Sequence, residues 1–155
     1  MHPDDFAAIC ALKYAYFRHL DLKEFDLLAE LFTAEATSSY QDGRKSYDGR
    51  DAIMEFLSSS MATHDLISMH HGHHPELRAI DEETVEGTWY LTDRVILPKM
   101  DYEIVGTAFY TDRYVRSDGK WKIAHTGYVR VYEEHRTHST GALLRFTSRF
   151  DGEKA

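Results

Sequence analysis

Four histidines fall within five residues in the stretch Ser68-Met69-His70-His71-Gly72-His73-His74-Pro75-Glu76-Leu77. Imidazole is the side chain best matched to proton transfer near neutral pH, and it is also a common metal ligand. A metal would take His70 with His74, or His71 with His73. A zinc site, however, needs a third ligand and a supporting shell. The chain has no helical His-Glu-x-x-His pattern, and its one cysteine, Cys10, is far away in sequence. Proton transfer is therefore the favoured use, and no metal is expected. Strand alternation sends neighbours to opposite faces, so at least two of the four histidines belong to the rim or surface.

A second candidate comes from period-2 patterning. Between Thr84 and Leu97, the residues Val85, Gly87, Trp89, Leu91, Asp93, Val95 and Leu97 share one face. A carboxylate on that apolar face must be satisfied by a partner or be perturbed, which makes Asp93 either a buried ion-paired residue or a functional acid. Tyr14, Tyr16, Tyr40 and Tyr47 lie on elements that could face a pocket, where a phenol can donate to a substrate oxygen. His125 and Arg130 have opposite parity on the last long strand, so without a bulge only one can face inward. There is no phosphate-binding glycine loop, no Gly-x-Ser-x-Gly elbow and no dinucleotide fingerprint, so no organic cofactor is expected.

Composition bounds the setting of this chemistry. The chain has 155 residues with 43% hydrophobic content, enough for one domain with a real core. Ten tyrosines, eight phenylalanines and two tryptophans can fill that core and line an apolar pocket. A formal charge of −8 speaks against a nucleic-acid partner and against an anionic membrane surface. A single cysteine in an apolar helical pattern fits a buried, inert thiol in a reducing compartment. No signal-peptide pattern opens the chain and no run is apolar enough to span a bilayer, so a cytoplasmic location is expected.

The elements that must position these residues follow from periodicity. Pro3-Asp4-Asp5 opens a helix whose apolar positions run from Phe6 to Leu20. Asp21 reads as the N-cap of a second helix carrying Phe25, Leu27, Leu28, Leu31 and Phe32. A short strand over 36–40, a turn over 41–45 and a return at Ser46-Tyr47 lead to a third helix over 52–59. Long strands follow at 67–79 (interrupted at Gly72 and Pro75), 84–97, about 102–115, and 120–133. Asp118-Gly119 is a hairpin turn. Residues 134–155 read as a polar surface or partner-contacting tail of the single domain 1–155. Helices first and a meander of strands afterwards give an α+β fold, three helices laid on a bent sheet as a cone with a pocket at its wide end.

In the order and spacing of its motifs the chain resembles the nuclear-transport-factor-2-like superfamily, and within it the SnoaL-like branch of polyketide cyclases and bile acid 7α-dehydratase. Scytalone dehydratase and ketosteroid isomerase are more distant kin. The likeness covers about Phe6 to Tyr132. It rests on Tyr16-Phe17-Arg18-His19-Leu20-Asp21 with Leu28-Ala29-Glu30-Leu31-Phe32, on Tyr47-Asp48-Gly49-Arg50-Asp51-Ala52-Ile53, on the histidine stretch, and on Asp118-Gly119-Lys120-Trp121-Lys122-Ile123-Ala124-His125.

The resemblance implies a cone-shaped, curved mixed sheet on three N-terminal helices, and a site in which Tyr16 and Asp21 at the first helix end meet His70, with Asp93 as a second acid. Tyr40, His73, His125 and Arg130 would contact substrate. The implied chemistry is a cofactor-independent lyase or isomerase acting on a small hydrophobic polycyclic or steroid-like molecule. Alternatives are a non-catalytic ligand-binding domain and the small subunit of a ring-hydroxylating dioxygenase. A homo-oligomer, dimer or trimer, is expected through the outer sheet face near Tyr90 and Ile96. One conflict stands: counting back from Leu77 turns His71 and His73 inward, and only a bulge at Gly72 or Pro75 would turn His70 in instead.

Overall fold

The computed structural model describes residues 2–151. Helix α1 (Pro3–Leu22) starts with proline in its first turn and Asp4 and Asp5 beside the exposed amides. It buries Ile9, Cys10, Lys13, Tyr16, Phe17 and Leu20 along one face. The chain then turns at Lys23, which caps α1 in the left-handed conformation at φ 62°, and resumes as α2 (Phe25–Glu30). Asp21 therefore does not cap the second helix. It sits in the last turn of α1, and the N-cap of α2 is Glu24. Its carboxylate is drawn instead to the backbone and side chains of a strand (below).

Strands β1 (Phe32–Tyr40) and β2 (Lys45–Asp48) form a hairpin, followed by α3 (Arg50–Met61). Phe32, expected in the second helix, opens β1 and is fully buried, because strand alternation there places Phe32, Ala36, Ser38 and Tyr40 against the core. The long strands are β3 (Ile67–Ala79), β4 (Thr84–Leu97), β5 (Tyr102–Ser117) and β6 (Lys120–Thr137). Asp118 and Gly119 make the β5–β6 turn with φ of 52° and 75°, the left-handed pair that a two-residue hairpin requires.

Spatial order across the sheet is β2-β1-β6-β5-β4-β3, with β1 parallel to β6 and the other pairs antiparallel. The segment expected as a polar tail after Glu134 is instead structural. It extends β6 to Thr137 and returns as β7 (Leu143–Ser148), paired antiparallel to residues 132–136. Strand β1 covers the first half of β6 and β7 the second half. Gly152 to Ala155 of that tail lie outside the described residues.

The helices cover the concave face. Val85, Trp89 and Leu91 of β4, Ala108, Tyr110 and Tyr114 of β5 and Ile123 of β6 meet the buried face of α1. Beneath α1 lies an ion pair: Lys13 Nζ is 2.7 Å from Asp112 Oδ2, and both side chains are fully buried. Asp112 also accepts hydrogen bonds from the Tyr114 hydroxyl at 2.6 Å and the Thr126 hydroxyl at 2.7 Å. Among the described residues no helix is long and apolar enough to cross a membrane.

Candidate active site

The register of β3 decides which histidine meets the concave face. His70 lies opposite Asp93 and His73 opposite Tyr90, but Glu76 lies opposite Thr88. Two residues, His74 and Pro75, thus face Trp89 alone. This is a β-bulge, with His74 at φ 49° and a proline that has no amide to give to the ladder. The extra residue inverts parity. Leu77 faces inward on one side of the bulge; Ser68, His70 and Gly72 face inward on the other. The bulge is at His74-Pro75, not at Gly72. Gly72 has a different reason to be glycine: a Cβ there would stand 2.4 Å from Cε2 of Phe17. The Phe17 ring lies parallel to the His70 ring, centroids 6.2 Å apart.

His71, His73 and His74 are exposed on the convex face, with ring centroids 5.8 Å and 6.0 Å apart along the row. His73, expected to contact substrate, thus points away from the cavity, as its unshifted register with Tyr90 requires. His70 and His73 sit on opposite sides of the sheet and cannot share a ligand.

On the concave side, the last turn of α1 lays Asp21 along β3. Asp21 Oδ1 is 2.6 Å from His70 Nδ1 and accepts from the Ser68 hydroxyl at 2.8 Å. Asp21 Oδ2 accepts the His70 backbone N–H at 2.9 Å. Burial pushes the Asp21 carboxyl upward in pKa, but the bonds and charge from His70, with those from Ser68, outweigh it and hold the group below its ordinary value. A carboxylate at Nδ1 places the ring proton there and leaves Nε2 with its lone pair, the arrangement of an oriented base.

His70 stands on the wall of a cavity of about 850 Å³. Tyr16, Tyr40 and Tyr110 line it too, with the Tyr16 and Tyr40 hydroxyls 3.3 Å apart. All three are buried, and burial holds their phenols well above the ordinary tyrosine value, so they remain neutral donors. Leu20, Phe56, Leu57 and Leu66 supply apolar wall.

Asp93 reaches the same cavity but is already satisfied. Arg130 Nη1 and Nη2 donate to its two oxygens at 2.5 and 2.7 Å, and Arg130 Nε lies 3.2 Å from Glu133. Gly106 leaves the space for this pair, since a Cβ there would come within 2.8 Å of the guanidinium. Burial disfavours the Arg130 charge, yet the bonds to Asp93 more than restore it. Arg130 faces inward with Thr126 and Tyr128, and no bulge separates it from His125, so His125 falls on the other side. His125 Nδ1 is 2.6 Å from the Thr37 hydroxyl on β1 and is not part of the cavity wall. The structure thus brings together Tyr16, Asp21, Tyr40, His70, Asp93 and Arg130, and leaves His73 and His125 outside.

Sequence reasoning missed Tyr110, Tyr128 and Glu133, and also Arg145 from β7 and Arg149 from the turn just after it, all on the cavity wall. A signal for β7 was available: Leu144, Phe146 and Phe150 alternate with Arg145, Thr147 and Arg149.

Residues 2–127 match the SnoaL-like domain family, and the chain belongs to that family. Solved structures extend the likeness through β7. A protein assigned as a scytalone dehydratase from Novosphingobium aromaticivorans superposes with TM-score 0.78 at 21% identity, covering 97% of this chain and 95% of the other. Hexachlorocyclohexane dehydrochlorinase LinA-type3 from Novosphingobium barchaimii gives 0.72 at 20%, covering 94% and 90%. ActVI-ORFA from Streptomyces coelicolor gives 0.70 at 16%, covering 81% and 96%. At these identities the likeness establishes the fold: the cone-shaped α+β architecture shared by nuclear-transport-factor-2-like proteins.

Proposed function

We propose that this protein is a cofactor-independent lyase or isomerase that removes a proton next to a carbonyl of a small hydrophobic polycyclic molecule. The observation that carries the reading is the His70–Asp21 pair on the wall of an aromatic cavity. His70 Nε2 takes the proton from carbon. The electron pair moves into the carbonyl, whose oxygen gains charge beside the neutral phenols of Tyr16 and Tyr40. In a dehydration, the enolate then expels a β-hydroxyl, which leaves as water with the proton from His70. In an isomerisation, His70 returns the proton to another carbon. The substrate's own carbonyl is the electron sink.

Asp21 orients the imidazole and stabilises its protonated form, while Asp93 fixes Arg130 at the cavity wall. The dehydratase and dehydrochlorinase names borne by structures of the same fold support an elimination. The oriented base favours an enzyme over a pure binding domain.

The test is solvent-deuterium exchange into the α-positions of a panel of cyclic and steroidal ketones, followed by NMR. His70→Ala should lower the exchange rate by at least about a hundredfold, the usual contribution of a positioned general base, with the fold intact by circular dichroism. Undiminished exchange in that variant would remove His70 from the mechanism.

A further inference from the structure

The cavity wall is chemically mixed. Tyr16, Tyr40, Phe56 and Leu57 make part of it aromatic and aliphatic. Its β7 end carries Arg145, Thr147 and Arg149, and Arg44 joins the wall from the β1–β2 turn that follows Tyr40. Arg145 and Thr147 share one face of β7, and Arg149 follows in the turn just beyond it, its N–H bonded to the Val131 carbonyl at 2.9 Å. The strand is firmly mounted: it pairs with β6 over residues 143–148, and Phe146, on its opposite face, stacks on Tyr132 with ring planes 21° apart.

The charge at this end runs against the rest of the molecule. The chain carries 26 acids and 18 bases, yet the cavity gathers Arg44, Arg130, Arg145 and Arg149 against Asp42, Asp93 and Glu133. The acids are committed. Asp93 and Glu133 hold Arg130. Asp42 accepts the Arg130 backbone N–H at 2.8 Å and lies 3.6 Å from Arg44. Among the described residues, no carboxylate lies within ion-pair distance of Arg145 or Arg149; Arg145 reaches only the His135 ring. Two arginines left with donors to spare, one on β7 and one just after it at the edge of an apolar cavity, are suited to an oxyanion, whose geometry a guanidinium matches in a bidentate way.

We propose that Arg145 and Arg149 form an anion subsite, so that the substrate is an apolar ring system carrying a carboxylate or a phosphate ester at one end. The cavity volume of about 850 Å³ leaves room for both parts. This deepens the proton-transfer reading by fixing the direction of entry: rings toward the tyrosines and His70, anion toward β7.

Fluorescence titration of the full chain with three matched probes tests it: pyrenebutanol, pyrenebutyrate and the phosphate ester of pyrenebutanol. The wild type should bind at least one anionic probe about tenfold or more tightly than the alcohol at low salt, the factor expected of a charge-assisted hydrogen bond. The preference should shrink as salt rises, because these arginines are exposed. Whichever anion binds tighter identifies the group. Arg145→Gln/Arg149→Gln should bind all three probes alike. His70→Ala should keep the preference, so that loss of proton exchange and loss of anion selectivity are read separately. Equal binding of the three probes by the wild type, binding of none, or a preference that survives in the double variant overturns the proposal.

Discussion

Asp112→Asn would strand the Lys13 ammonium inside the protein, and the structure sets the size of the penalty. Both side chains are wholly buried and 2.7 Å apart, and the Lys13 cation lies 3.6 Å from the Tyr110 ring centroid with Tyr16 and Phe17 at 4.7 and 5.0 Å. Removing one partner of a buried pair costs about 3–5 kcal/mol. Lysine has an escape, which is to lose its proton. From an ordinary value of 10.5, deprotonation at pH 7 costs at most about 5 kcal/mol, since each pH unit is worth about 1.4 kcal/mol.

The Asp112→Asn deficit should therefore be about 4–5 kcal/mol at pH 7. With Lys13 neutral when folded and charged when unfolded, the unfolded state binds the extra proton. Stability of the variant relative to the wild type must then rise with pH, by about 1.4 kcal/mol per unit up to pH 9. Lys13→Met should cost less, about 3 kcal/mol, because Tyr114 and Thr126 still donate to Asp112. Lys13→Met/Asp112→Asn should recover most of either loss and show no such slope. Urea unfolding at several pH values reads all of this. With a slope of about 2 kcal/mol per molar, the single variants should shift the midpoint by roughly 1.5–2.5 M. A deficit that stays flat between pH 7 and 9, or a double variant as weak as the sum of the singles, would refute the buried-charge account.

The four buried phenols of Tyr16, Tyr40, Tyr110 and Tyr114 should make the fold sensitive to base. Burial holds each well above 10 in the folded state, so above pH 10 the unfolded state loses protons that the folded state keeps, and stability falls. At about 1.4 kcal/mol per unit for each, the phenolate absorbance of these four should appear only with unfolding, in one cooperative step; more phenolate before unfolding than the six other tyrosines can supply would contradict this. Gly72→Ala should cost about 1–3 kcal/mol by overpacking Phe17, and should also slow proton exchange because Phe17 backs the His70 ring. Thermal melts and the exchange assay check it, and an unchanged melting temperature would count against the packing.

Local patterns carried much of the fold. Alternation along β4 marked Asp93 as inward, and it is; Asp118-Gly119 marked its turn, and Pro3 its helix start. What depended on a single φ angle or on distant pairing did not show in one dimension. Nothing in Asp21-Leu22-Lys23-Glu24 announces that Lys23 takes the left-handed conformation, so Asp21 read as the start of α2 instead of the end of α1. Asp93 was visible as a buried acid, but its partner Arg130 lies 37 residues on and two strands across, beyond the reach of periodicity. The bond between Asp21 and His70 spans 49 residues and was expected only through family likeness. Strand β7 hid behind its exposure: an edge strand with nearly every residue open to solvent and an arginine on its pocket face looks like a polar tail.

The bulge at His74-Pro75 makes this site unusually dependent on length. A substitution in the histidine stretch changes one side chain, whereas removing or adding one residue there changes which set of side chains the whole segment Ile67–His73 shows to the cavity. One register offers Ser68, His70 and Gly72; the other offers Met69, His71 and His73. A single-codon deletion could thus exchange an oriented base and a packing gap for a methionine and two unpartnered imidazoles without altering any other amino acid. In this chain, the five-residue step from His70 to Pro75 therefore sets the cavity wall more strictly than the number of histidines does.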